Sequence, residues 1–255
     1  MPANDIMAYQ LPVPCYNPCR LSWRWPTRCP LCDSHARGGR LCGPCARDVT
    51  ATMRGAAPRC PACRARLPAA AGLLCAGCLR RKPRCGQVVA AFDYELPGDS
   101  LIRAYKGQGR LSLTPALGAL MAMAWRARGP DLPLLLVPMP ASPAALRRRG
   151  FNPAAELAAV VAQCQRLPLS RYGLRRTRIR TSQTGRGRRA RWRGLRGLFV
   201  ADAALAGRDV LLIDDVITTG ATAHAAALAL RRVGARCVGV LAAARTPAPG
   251  WQNTP

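Results

Sequence analysis

Residues 210–222, VLLIDDVITTGAT, constrain the fold of this chain more tightly than any other stretch. The apolar run Val210, Leu211, Leu212, Ile213 does not alternate with polar residues, which is the pattern of a strand covered on both faces in a parallel sheet. Two carboxylates follow, then a small hydroxyl-rich turn that opens into an alanine-rich run. Open α/β sheets bind ligands at the carboxyl ends of their strands, so Asp214 and Asp215 are expected at a ligand-binding edge. The turn Thr218, Thr219, Gly220, Ala221, Thr222 offers hydroxyls, successive backbone N–H groups and a helix N-terminus, which together make an anion cup. Carboxylates repel a phosphate at close range, so the two acids should face hydroxyls or a hydrated divalent cation while the cup takes the phosphate. A phosphorylated sugar satisfies both halves.

Strand and helix signals alternate from residue 87 onward. Strands are expected over residues 88–95 and 132–137. Helices are expected from Thr114-Pro115 to about residue 126 and from Asn152-Pro153 to about residue 165, each opening with an N-cap and a first-turn proline. A strand over 210–213, a helix over 222–233 stopped by Gly234, and a strand over 237–242 complete the pattern. Such alternation implies an α/β domain, a parallel sheet with helices on both faces, over residues 86–246, with a tail at 247–255. A P-loop NTPase would need a Gly-Lys-Ser/Thr loop, which neither Lys82-Pro83 nor Lys106-Gly107 supplies. No run approaches the about 18 apolar residues of a membrane span. Residues 1–28 are proline-rich without periodicity and read as an irregular leader. They lack the basic stretch and apolar core of a secretory signal, so a cytoplasmic location is expected.

Residues 29–85 have few large aliphatic side chains and need a staple. Four pairs supply it: Cys29 and Cys32, Cys42 and Cys45, Cys60 and Cys63, Cys75 and Cys78. Two residues between thiolates let both sulfurs of a tight knuckle reach one tetrahedral ion, and two knuckles complete four ligands. A small N-terminal module holding one or two structural Zn2+ ions follows, resembling a double zinc ribbon. Sequential and interleaved pairings of the knuckles both satisfy the spacing. In a reducing compartment, metal ligation is the expected use of these thiols. Cys15, Cys19, Cys85, Cys164 and Cys237 remain as small hydrophobes or free thiols, and His35 is not counted as a ligand because four thiolates already stand around it.

The formal charge of +27, from 39 basic and 12 acidic residues, favours polyanionic partners. Only Lys82 and Lys106 are lysines, and twelve arginines fall between Arg166 and Arg196, with Tyr172 and Trp192 among them. Arg175, Arg176, Arg178, Arg180, Arg186, Arg188, Arg189, Arg191 and Trp192 form the candidate surface for single-stranded DNA, where arginines track phosphates and aromatic planes stack bases. A solvated basic loop and a lid over a substrate are the competing readings of the same segment.

Residues 210–222 resemble the ribose-phosphate motif of type I phosphoribosyltransferases. The likeness extends to VPMPASPAALRRRGFNPAAELA at 137–158, RTRIRTSQTG at 176–185, GLRGLF at 194–199 and the N-terminal cysteine pairs. Together these stretches make the chain resemble the ComF family of bacterial competence proteins from Cys29 to about Arg245. The resemblance implies that Asp214 and Asp215 hold the ribose hydroxyls of phosphoribosyl pyrophosphate and that Thr218 to Thr222 hold its 5-phosphate. It places Met139, Pro140 and Arg149 in a pyrophosphate loop, with Lys106 of AYKGQG near the same group. Mg2+ would come with phosphoribosyl pyrophosphate, held mainly by substrate oxygens and water. Arg149 and Lys106 would offset charge on departing pyrophosphate, which makes Asp214, Asp215, Lys106 and Arg149 the candidate catalytic set.

The resemblance further implies a part in natural transformation, the uptake and handling of single-stranded DNA, with competence or replication-restart proteins as partners. The catalytic version is a phosphoribosyltransferase, a glycosyltransferase whose acceptor is unnamed. Its alternative is a non-catalytic nucleotide- or DNA-binding adaptor of the competence or recombination machinery. Three departures from pattern stand out. Many purine phosphoribosyltransferases carry an acid where this chain has Thr218, and threonine is no general base at neutral pH. Arg186-Gly187 replace the usual Leu-Ser after Gln-Thr-Gly, and Gly194 replaces the usual Asn.

Overall fold

A computed structural model describes residues 25–54, 58–67, 74–80, 84–128, 134–177 and 197–247. The described chain begins with β1 (Pro26–Arg28) and β2 (His35–Arg37), paired antiparallel, then α1 (Gly43–Arg54) and the short α2 (Ala76–Arg80). The first strand thus starts within the stretch expected to be an irregular leader. Next come β3 (Gln87–Asp93), α3 (Gly98–Gly107), α4 (Thr114–Arg128), β4 (Leu135–Pro138), α5 (Pro143–Arg149) and α6 (Pro153–Gln165). The chain continues through β5 (Leu174–Arg176), β6 (Phe199–Ala201), β7 (Asp209–Ile217), α7 (Ala221–Arg232) and β8 (Arg236–Arg245).

Four of the strands form one parallel sheet in the order β3-β8-β7-β4. Successive residues of β7 point to opposite faces, as a strand's period of two requires. Val210 and Leu212 enter a core with Val137, Val240 and the alanines of α7. Leu211 and Ile213 enter the other core, with Leu241, Leu117 of α4 and Leu157 of α6. The α/β architecture with helices on both faces is therefore as the sequence pattern implies. The cysteine module adds a small core of its own, in which Ala65 and Leu67 pack with the buried Cys60, Cys63 and Cys78.

Helices α1 and α5 and strands β5 and β6 have no counterpart among the expected elements, and two further differences bear on the site. Strand β7 runs on to Ile217, so Asp214 and Asp215 lie within it and not at its tip. Its pairing with β4 stops at Pro138 opposite Ile213, whereas its pairing with β8 continues to Ile217 opposite Arg245. The acids consequently stand at an open edge on the β4 side only. Helix α3 has no counterpart among the expected elements. It packs by only three large apolar residues, Leu101, Ile102 and Tyr105, all buried. Among the described residues, no helix is long and apolar enough to cross a membrane.

Candidate functional site

The motif Arg149-Gly150-Phe151-Asn152 is a hinge between two short helices, and each residue has a mechanical task. Gly150 ends α5 in a left-handed conformation, φ +77°, that a side chain would disfavour. Phe151 packs its ring against Tyr105, with centroids 5.6 Å apart. The Asn152 side chain accepts from the Ala154 amide at 3.2 Å, capping α6, and donates to the Met139 carbonyl at 3.1 Å. Tyr105 precedes Lys106 and donates its hydroxyl to the Pro153 carbonyl at 3.1 Å. The helix carrying Lys106 and the turn carrying Arg149 are therefore locked together, although they are distant in sequence.

Met139 is buried and donates its amide to Ile213, while Pro140 is half-buried beside it. The cup follows β7. Gly220 takes φ +72° to open α7, and the Thr219 hydroxyl accepts from the Ala221 amide at 3.3 Å. Thr218, Thr219 and Thr222 are exposed, and Ala221 is buried at the base of the turn.

Lys106 Nζ lies 3.0 Å from both carboxylate oxygens of Asp215. The Asp215 amide donates to Asp214 at 2.9 Å, which brings the two carboxyls close. Burial and the neighbouring charge of Asp215 push the Asp214 carboxyl well above the usual carboxylate range, against the opposing pull of Lys106. A carboxyl raised in this way stands next to the Lys106–Asp215 ion pair. Beside it opens a cleft of about 890 Å³, lined by Lys106, Arg148, Arg149, Arg103 and Thr218 among others. The cleft brings Lys106, Arg149 and Thr218 onto one surface from three separate parts of the chain.

The eight paired cysteines assemble sequentially into two groups, Cys29, Cys32, Cys42, Cys45 and Cys60, Cys63, Cys75, Cys78, and in each group the sulfurs lie within 4.8 Å of one another. Tetrahedral Zn–S bonds of about 2.3 Å set neighbouring sulfurs about 3.8 Å apart. The Cys32 and Cys42 sulfurs are 3.6 Å apart and those of Cys63 and Cys75 are 3.7 Å apart, so both groups fit such an ion. The first knuckle of each group is the same turn. The Cys29 amide donates to Ser34 and the Cys60 amide to Ala65, with Asp33 and Arg64 both left-handed at φ 59°. Each group also has a thiol disposed to ionise. The Ser34 hydroxyl and amide hold Cys32 down to about 6. For Cys60 the upward push of burial is outweighed by amides of Cys75, Cys63 and Ala62, leaving it at about 7.

The second group is bolted to the sheet by arginines. Arg59 grips the buried Asp93 at the end of β3 with two hydrogen bonds, 3.0 and 2.6 Å, and Arg66 reaches both Asp93 and Glu95. At the end of β8 the buried Arg245 donates to Cys63, Ile217, Thr218 and Thr246. No sequence signal marks these arginines within a chain so rich in that residue.

Of the candidate DNA residues, Arg178, Arg180, Arg186, Arg188, Arg189, Arg191 and Trp192 lie outside the described residues. Arg175 is exposed on β5, and Arg176 sits 6.0 Å over the Phe199 ring. Strands β5 and β6 pair antiparallel, so the two flanks of the arginine-rich segment meet.

The phosphoribosyl transferase domain family matches residues 144–250. The chain is 33% identical to DNA utilization protein YhgH of Escherichia coli strain K12 over 236 residues, covering 87% of this chain and 96% of that protein. YhgH of Salmonella typhimurium is 33% identical over 227 residues, with the same coverage. Competence protein F of Haemophilus influenzae is 27% identical over 227 residues, covering 86% of this chain and 96% of that protein.

Proposed function

Because the chain belongs to the ComF family, with a phosphoribosyl transferase domain behind two four-cysteine groups, we propose that it binds phosphoribosyl pyrophosphate and handles single-stranded DNA in natural transformation. The observation that carries the first half is the cleft that gathers Lys106, Arg149 and Thr218 beside the Asp214–Asp215 pair. In this reading the cup from Thr218 to Thr222 takes the 5-phosphate and the two acids take the ribose hydroxyls. Met139 and Pro140 shape the loop in which Arg149, with Lys106, takes the pyrophosphate. Mg2+ would come with that group, held mainly by substrate oxygens and water, and would supply charge neutralisation there.

Binding the sugar requires Lys106 to share its charge between Asp215 and the pyrophosphate. Asp215 thereby orients the lysine as well as gripping a hydroxyl. The two cysteine groups take one structural Zn2+ each, consistent with reduced thiols in a cytoplasmic setting. The competence role is drawn from two relatives, DNA utilization protein YhgH and Competence protein F. Competence or replication-restart proteins are the partner class that such a role requires.

A second reading, binding without transfer, is favoured by one observation. Among the described residues, the cleft lining adds no carboxylate or imidazole to the Asp214–Asp215 pair beside it, which this reading commits to the ribose hydroxyls, so none is left to take a proton from an acceptor. Calorimetric titration with phosphoribosyl pyrophosphate and magnesium is expected to show one saturable site, lost in Asp215→Asn while the circular dichroism spectrum is kept. Undiminished binding by that variant, or none by the parent, would contradict the site. Pyrophosphate release on adding candidate nucleobases or DNA ends, abolished by the same substitution, would identify a transferase. Tight binding with no release across them favours the binding module.

A further inference from the structure

Arg245 is 5% exposed, and among the described residues it forms no ion pair with a carboxylate. A buried charge without compensation is costly, so this cation needs a counter-charge. Its surroundings supply carbonyls and one sulfur. Nε donates to the Cys63 carbonyl at 2.9 Å and Nη2 to the Cys63 sulfur at 3.6 Å. Nη1 donates to the carbonyls of Ile217 at 3.1 Å, Thr246 at 2.7 Å and Thr218. Four thiolates around one divalent cation carry a net negative charge, and Cys63 is one of the four sulfurs of its group.

We propose that Arg245 is a positioning residue that couples the second cysteine group to the anion cup, so that metal held by Cys60, Cys63, Cys75 and Cys78 sets how well the cup grips a phosphate. The proposal rests on the reading of residues 218–222 as a phosphate cup. In a trans peptide the N–H points opposite the carbonyl. By holding the Ile217 and Thr218 carbonyls on one side, the guanidinium turns the Thr218 and Thr219 amides to the other, where an anion would meet them. The loaded metal group holds the far end of the same guanidinium by charge and by a fixed sulfur. Without the ion the four sulfurs lose their common anchor, Arg245 loses its counter-charge, and the first peptides of the cup lose their brace. The clamp of Arg59 and Arg66 on Asp93 and Glu95 keeps the module in place for this contact. The first group offers an internal control. Gly39, between its ligands, lies against Pro115 at the start of α4, and among the described residues it sends no hydrogen bond to the cup.

The test uses the full chain loaded with zinc, ribose 5-phosphate as the probe, and a chromophoric chelator to follow zinc release. Saturating ribose 5-phosphate should slow release from one of the two groups and leave the other unchanged, since coupling between sites is reciprocal. Arg245→Gln should weaken ribose 5-phosphate binding by about tenfold and speed release of that same zinc, with Arg245→Lys falling between. A merely structural arginine would alter release of the zinc beside Cys63 without weakening ribose 5-phosphate binding and without that release responding to the probe. Should Arg245→Gln fail to fold, the parent protein with and without the probe decides alone. A parent that does not bind ribose 5-phosphate would sink the cup itself. Binding that is indifferent to Arg245, with zinc release indifferent to the probe, would sink only the coupling.

Discussion

Asp214 shows how a candidate binding site can work against the stability of its own fold. Its folded carboxyl holds a proton well above the usual range, through burial first and the charge of Asp215 second. The unfolded carboxyl ionises near the ordinary value of about 3.9. Below that pH both states are protonated and the residue costs nothing. As pH rises above it, the folded state increasingly loses to the unfolded state, which ionises freely. Asp214→Asn keeps the acceptor for the Asp215 amide and removes the charge. Thermal melts at pH 8 should show this variant about 2–4 °C above the parent. The gap should close toward pH 4, and phosphoribosyl pyrophosphate should bind more weakly. An advantage that grows on acidification would refute the assignment. The candidate acids, the threonine turn and the two four-cysteine groups are legible in the sequence because each set is contiguous or regularly spaced. Arg245 is not, because its partners Cys63 and Ile217 stand 182 and 28 residues away, and nothing local distinguishes it from its many fellow arginines.

At the scale of elements, the sheet and the two helices with prolines at their first turns were readable from period and proline, although Thr114, expected as an N-cap, is the first residue of α4 and donates its hydroxyl to the Leu111 carbonyl. Asn152 caps α6 and Pro153 opens it as the pattern requires. Helix α3 was not readable, since its apolar residues are few and its place depends on Tyr105 meeting Phe151 from another part of the chain. The extension of β7 to Ile217 was hidden for a related reason. Carboxylates oppose strand formation locally, and only the long partner β8 carries the pairing past them. Helices α4 and α6 cross at Gly118, where an added Cβ would come within 2.5 Å of Val160 Cγ1 and 2.6 Å of its Cβ. Better helix propensity should not rescue Gly118→Ala, because a branched side chain cannot retreat there. Denaturant unfolding should show a loss of about 1–3 kcal/mol. A stabilised variant would mean that the two helices can part without cost.

At the scale of the molecule, charge and topology set what the chain can bind and how it is assembled. With an excess of +27, the proposed binding of single-stranded DNA should depend on salt, whatever bases are read. The logarithm of affinity should fall with the logarithm of salt concentration at a slope of about 0.7 per phosphate neutralised, and replacing Arg175 and Arg176 by alanine should lower that slope. A salt-independent affinity measured by fluorescence anisotropy would exclude a backbone-tracking surface. Class and charge were legible at this scale from composition and alternation alone, whereas the meeting of β5 with β6 was not. That pair is three residues a side and joins positions separated by a long basic stretch. The order β3-β8-β7-β4 has a consequence for biosynthesis. The strand that joins β3 to β7 is β8, the last described one to leave the ribosome. Until it arrives, the nascent chain must keep the lone strand β3 apart from the β7–β4 pair, each with a bare inner edge. A stalled or prematurely released product is therefore a target for chaperones or for edge-to-edge aggregation.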